Sequence, residues 1–199
     1  MSGALPRLVA GLALFVLAGA SVAEAQARRS ELGVELPFAG VSNRDLGYVA
    51  TRNPLRPGFG LGLRVLGRVA RAERFELHLG ARLSATAWRT DTLRRTEGAF
   101  RTTFDPGLAL RGARGPLALV LTVGPTFALP AFAELFSGVR TARGAHFELA
   151  LGFDHGFRRL RTGVELAYVH HRLRESTPVA LTTTHLVALR VLVGVAAAE

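Results

Sequence analysis

From Phe75 to Ala87 every second residue is apolar. Phe75, Leu77, Leu79, Ala81, Leu83, Ala85 and Ala87 alternate with Glu76, His78, Gly80, Arg82, Ser84 and Thr86. Only an extended strand sends alternate side chains to opposite sides. An amphipathic helix needs apolar residues at i, i+3, i+4 and i+7, and as a helix this segment would scatter its leucines around the axis. The 22 glycines argue the same way, because each interior glycine costs a helix about 1 kcal/mol relative to alanine.

The same period recurs seven more times. Leu32, Val34, Leu36 and Phe38 oppose Gly33, Glu35, Pro37 and Ala39. Phe59, Leu61, Leu63 and Val65 oppose Gly60, Gly62 and Arg64. Phe104, Leu108 and Leu110 oppose Gly107 and Ala109, and Leu117, Leu119, Leu121 and Val123 oppose Ala118, Val120, Thr122 and Gly124. Phe147, Leu149, Leu151 and Phe153 oppose His146, Glu148, Ala150, Gly152 and Asp154. Val164, Leu166 and Tyr168 oppose Gly163, Glu165 and Ala167. Val187, Leu189, Val191, Val193 and Val195 oppose Ala188, Arg190, Leu192 and Gly194.

The connections between these eight strands alternate in length. Gly40 to Pro57, Arg89 to Thr103 and Ala128 to Arg143 read as long loops, and His171 to Ala180 as intermediate. Ala70 to Arg74, Arg111 to Gly115 and His155 to Arg158 read as short turns. Long loops on one side and tight turns on the other, with both termini on the turn side, predict an all-β, eight-stranded antiparallel up-and-down barrel.

The two faces decide what surrounds that barrel. One is large and uniformly apolar. The other carries small residues and sparse charges of both signs: Glu35, Arg64, Glu76, Arg82, Glu148, Glu165 and Arg190. A soluble barrel turns its apolar face inward and covers its exterior with dense charge. A membrane barrel inverts this, and an eight-stranded lumen is just wide enough to be filled by side chains. These seven residues are therefore expected to form a lumenal ion-pair network, since an unpartnered buried charge is costly.

The N-terminal segment fits export. Arg7 precedes an apolar run from Leu8 to Val22, followed by Ala23-Glu24-Ala25. A basic start, an apolar centre and an A-x-A exit make a cleavable signal peptide. The run is shorter than the roughly 20 residues of a membrane-spanning helix. Residues 1–25 are read as the signal and 26–199 as the barrel domain, which implies the general secretory route and the outer membrane.

The chain has no cysteine and carries 25 basic against 15 acidic residues, a formal charge of +10, with every basic residue an arginine. Export makes nucleic acid an unsuitable partner and favours anionic lipid. Arginine bonds phosphate through two parallel N–H groups. Arg89, Arg94, Arg95, Arg140, Arg143, Arg172 and Arg174 are expected at the outer rim as contacts to lipopolysaccharide phosphates.

The signal, the eight alternating strands and the inner-face glycines with opposed Glu and Arg resemble the small outer-membrane β-barrel proteins that include the membrane domain of outer membrane protein A. The resemblance covers the whole mature chain and is one of pattern. It implies a monomer inserted by the barrel assembly machinery. Barrels of this type commonly end on an aromatic residue, whereas this chain ends Gly194-Val195-Ala196-Ala197-Ala198-Glu199. Trp88, Tyr48, Tyr168 and several Phe are the candidates for aromatic belts at the interfaces.

Catalytic and metal chemistry are weakly marked. His170-His171 with Glu175 and Ser176 could suggest a lipid esterase, but adjacent histidines on a strand face opposite ways and no nucleophile–base pair is evident. Glu76-x-His78 and His146-x-Glu148 each offer two ligands on one face, whereas zinc sites usually take three or four. No catalytic residue, metal or cofactor is expected. A structural or surface-interaction barrel is the leading reading. A narrow pore, a lipid A-modifying esterase at the rim and a soluble periplasmic lipocalin-like binder are the alternatives.

Overall fold

The computed structural model describes residues 28–45, 47, 50–91, 96–129, 142–157, 160–176 and 179–196. The expected signal segment lies outside them. Eight strands run in order: β1 (Arg28–Asp45), β2 (Ala50–Ala72), β3 (Phe75–Asp91), β4 (Thr96–Arg114), β5 (Leu117–Leu129), β6 (Ala142–Phe157), β7 (Leu160–Ser176) and β8 (Val179–Ala196). Each pairs antiparallel with its sequence neighbours, and β1 closes on β8. The predicted topology is observed.

Apart from Ala39, the face assignment holds along all eight strands. Leu32, Leu61, Leu79, Leu108, Leu119, Leu151, Leu166 and Val193 are exposed on the outer wall. Glu35, Arg64, Glu148, Glu165 and Arg190 are buried inside. This is the reverse of a water-soluble barrel. On β3 the outward run from Phe75 to Ala87 covers about 40 Å along the strand, or about 30 Å along the barrel axis at the usual tilt. That matches the hydrocarbon thickness of a bilayer, so the fold is that of a transmembrane barrel.

The loops differ from expectation. Gly40 to Asp45 pairs with Leu55 to Ala50, so most of the predicted 40–57 loop is strand. Asp91 pairs with Thr96, and Ser176 with Val179, which shortens the other two predicted loops that are described. These hairpin ends keep their backbone bonds. They carry no hydrophobic period, and Asn53-Pro54 and Arg56-Pro57 look like breakers. Residues 130–141, the centre of the remaining long loop, lie outside the described residues.

Three irregularities locally flip the alternation. They fall at Pro37/Ala39 between β1 and β8, and at Arg56/Phe59 and Arg68/Ala70 between β2 and β3. Each is the signature of an extra residue bulged out of the ladder. Phe38 and Ala39 consequently both face outward, which corrects the expectation that Ala39 lies on the inner face.

The aromatic belt is also corrected. Trp88 is buried inside the barrel, with the Arg101 guanidinium 5.5 Å from its ring centre. Phenylalanine takes its place on the wall. Phe38, Phe59, Phe127, Phe147 and Tyr168 are exposed toward the loop side, and Phe75 and Phe153 toward the turns. Tyr48 lies outside the described residues.

Candidate functional site

The lumen is built from what the inner faces omit as much as from what they carry. Ala109, Ala118, Ala150, Ala167 and Ala188 line the wall with little bulk. Gly62 and Gly194 give more room still. A β-carbon on Gly62 would sit 2.7 Å from a Glu35 carboxylate oxygen, and one on Gly194 would sit 2.8 Å from Glu31 Cγ. Small residues on one strand thus let long charged side chains from the others cross the barrel.

The crossings form a central cluster. The Arg190 guanidinium donates to both oxygens of Glu148 at 2.5 and 2.9 Å. Arg82 donates to Glu148 at 2.7 Å and also to Glu35. Arg64 donates to Glu31 at 2.6 Å and to Glu165 at 2.8 Å. Charge-assisted bonds of this kind are the strong ones, and here each carboxylate meets at least one guanidinium. Arg29 adds a further cation on Glu31. Six of the seven sequence-predicted lumenal residues therefore meet one another.

The seventh does not. Glu76 sits in a second cluster at the turn side. It accepts from Arg68 at 3.3 Å and from Arg111 at 3.5 Å, with His78 Nε2 at 3.3 Å. Asp154 stands beside it, bonded to Arg29 at 2.6 Å, Arg111 at 2.9 Å and Arg161 at 3.4 Å. Arg111 falls in a stretch read as a turn, and Arg68 and Arg161 flank two others, yet the strands run far enough to bring all three into the lumen mouth. The expectation that Glu76 belongs with Arg64, Arg82 and Arg190 is corrected.

A third, nearly neutral layer lies toward the loops. Asp105 accepts from Thr103 at 2.9 Å and from Thr126, with His171 Nε2 at 3.4 Å. Ser84 bonds Thr103 at 2.9 Å, and the His146 Nδ1–H donates to the Pro125 carbonyl at 3.0 Å. Leu55, Trp88, Val169 and Leu186 belong to the buried apolar cluster inside the barrel, and Arg101 donates to Thr184 at 2.8 Å. The sequence reasoning missed Asp105 and Glu31, although both share a face with residues it did place inward. Among the described residues the voids next to the ion pairs are about 10 Å³ each, room for about one water.

The rim arginines divide. Arg143, Arg172 and Arg174 are exposed on the outer wall of β6 and β7, with Arg143 directly opposite Arg174 and Arg172 opposite Ala145. The side chains of Arg89, Arg94, Arg95 and Arg140 lie outside the described residues. His170 and His171 face opposite ways as expected: His171 is buried against Asp105, and His170 is on the outer wall. The side chains of Glu175 and Ser176 lie outside the described residues.

Fold and lumen together define a transmembrane β-barrel with a charge-compensated, side-chain-filled interior. No family model matches the chain, and no curated protein matches it. Among solved structures it is similar to the outer membrane protease OmpT from Escherichia coli, at 8% identity and a TM-score of 0.46, covering 86% of this chain and 97% of that one. It is also similar to Neisserial surface protein A, at 9% identity and a TM-score of 0.41, covering 82% and 96%. The attachment invasion locus protein Ail of Yersinia pestis aligns at 11% identity and a TM-score of 0.34, covering 84% and 98%. Likenesses this distant transfer no activity, and the barrel assignment rests on the strand ladder itself.

Proposed function

We propose that this protein is a monomeric, non-conducting barrel of the outer membrane whose role is structural or lies in surface interaction. The observation that carries this reading is the filled lumen, in which Arg64, Arg82 and Arg190 cross to Glu31, Glu35, Glu148 and Glu165 beside voids of about 10 Å³. A solute path would need those pairs to part inside a low-dielectric wall. Closure of β1 on β8 leaves no free sheet edge for pairing with another chain, which supports a monomer. The export signal and the lipid-facing wall support the outer membrane as its location. In planar bilayers the purified barrel will give no discrete conductance steps. Regular steps would replace this reading with a narrow pore.

The outer wall supports a contact with lipid phosphate. Arg143 and Arg174 are register partners, and like charges directly opposite destabilise a sheet. Among the described residues no carboxylate pairs with them or with Arg172. A phosphate at the headgroup level would offset that repulsion through charge-assisted bonds. The triple variant Arg143→Gln, Arg172→Gln, Arg174→Gln will retain lipopolysaccharide about tenfold less well through purification, at bond strengths usual for charged partners. Undiminished retention, or equal retention of dephosphorylated lipid A by the parent barrel, would remove the phosphate contact.

A further inference from the structure

On the outer wall, just beyond the apolar belt, three heteroatoms converge. His170 on β7 and His185 on β8 are direct register partners. Their Nδ1 atoms are 3.3 Å apart and their ring centres 4.5 Å apart. The Tyr168 hydroxyl lies 2.7 Å from His185 Nδ1. Val187 opposes Tyr168 on the belt side, and Arg172 opposes Thr183 on the rim side. The cluster therefore sits where the lipid-facing wall meets the headgroup level.

A neutral imidazole has one N–H and one lone pair. His185 Nδ1 faces both the Tyr168 hydroxyl and His170 Nδ1, so a single lone pair is shared by two neighbours. Without a metal one Nδ1–H donates to the other ring's lone pair; with both protons on the far nitrogens the two lone pairs turn inward and can share a cation. Imidazole suits zinc, copper and nickel among the common metals. The spacing chooses between geometries. Two nitrogens bound to zinc at about 2.0–2.1 Å with a tetrahedral angle stand about 3.3–3.4 Å apart. A right-angled, square-planar arrangement at that bond length would bring them to about 2.9 Å. The observed 3.3 Å has the tetrahedral value before any metal is added.

We propose that His170 and His185 form an external zinc(II) site on the barrel wall, with Tyr168 as a third ligand and a fourth position open to water. The two nitrogens are held 3.3 Å apart by the β7–β8 ladder, and the rings, with centres 4.5 Å apart, must splay further to aim both lone pairs at one ion. The Tyr168 oxygen, 2.7 Å from His185 Nδ1, must swing outward by about 0.5 Å to reach a tetrahedral separation. It would lose its proton to solvent on ligation. This pairing is invisible to sequence spacing, because the two histidines lie 15 residues apart and meet only across strands.

The test uses the untagged, folded, full-length barrel in detergent after treatment with a chelator, titrated with zinc chloride by calorimetry. One zinc per barrel is expected. His170→Asn and His185→Asn will each weaken binding by about 100-fold or more, since even outer partners of metal ligands are worth roughly 10–100-fold. His78→Asn and His146→Asn, inside the lumen, will leave it unchanged. Binding that is absent from the parent protein, or insensitive to both wall variants, overturns the proposal. Should either wall variant fail to show the heat-modifiable migration of a folded barrel, cobalt(II) added to the parent protein decides. Intense visible absorption of tetrahedral cobalt supports the site, and the weak spectrum of the hydrated ion overturns it.

Discussion

Replacing Glu148 by leucine will destabilise the barrel by about 3–5 kcal/mol, the usual cost of removing one partner from a buried ion pair. Glu148 is the hub of the lumen. It accepts from Arg190 at 2.5 and 2.9 Å and from Arg82 at 2.7 Å, with an Arg64 nitrogen at 3.9 Å. Its side chain is 4% exposed and that of Arg190 only 2%. Without Glu148, the carboxylates left to Arg190 among the described residues are Glu35 at 3.5 Å and Glu165 at 3.9 Å, both too long for a good hydrogen bond. The loss will be read from the urea midpoint of the barrel folded in lipid vesicles. Adding Arg190→Met to Glu148→Leu will recover much of it, because replacing both members of a buried pair with apolar groups is often close to neutral. A single-variant cost below about 1 kcal/mol would place these charges in the range of solvated surface pairs and would mean that water fills the lumen.

The second large effect lies on the other face. Val191 is central in the outward run from Val187 to Val195 and is flanked by Val34 on β1 and Val164 on β7. It is 44% exposed, and nothing polar stands beside it in either ladder. Val191→Arg will cost about 2–4 kcal/mol in phospholipid vesicles, as charge at the bilayer midplane does on barrel walls, whereas Val195→Arg near the turns will cost about 0–1 kcal/mol. The contrast carries the information. A water-facing exterior would tolerate both changes within about 0.5 kcal/mol. Equal and small effects at the two positions would therefore mean that this wall does not face lipid.

Both results depend on a division between the faces that is written in the chain. Alternation from Phe75 to Ala87, and its seven counterparts, follows from local backbone geometry alone, so the inward direction of Glu35, Arg64, Glu148, Glu165 and Arg190 was legible without a fold. The strand ends were not. Gly40–Asp45 and Ala50–Leu55 pair through their backbones, and a segment that does not alternate apolar with polar residues shows no period in the sequence. The bulges at Pro37/Ala39 and Arg56/Phe59 were likewise hidden, because one unpaired residue changes parity without a required residue type.

Partner choice belongs to the tertiary structure. Periodicity sends Arg82 and Glu148 inward, but that β3 reaches β6 across the lumen, and β2 reaches β7 through Arg64 and Glu165, follows from closure of β1 on β8 and the stagger it imposes. The same closure separates Glu76 from the central cluster, brings Asp105 against His171, and sets His170 beside His185 on the outside. The sequence by itself determined which way each side chain points, since that depends on position along one strand. Which side chains meet depends on distances between strands far apart in the chain, and only the closed barrel fixes those.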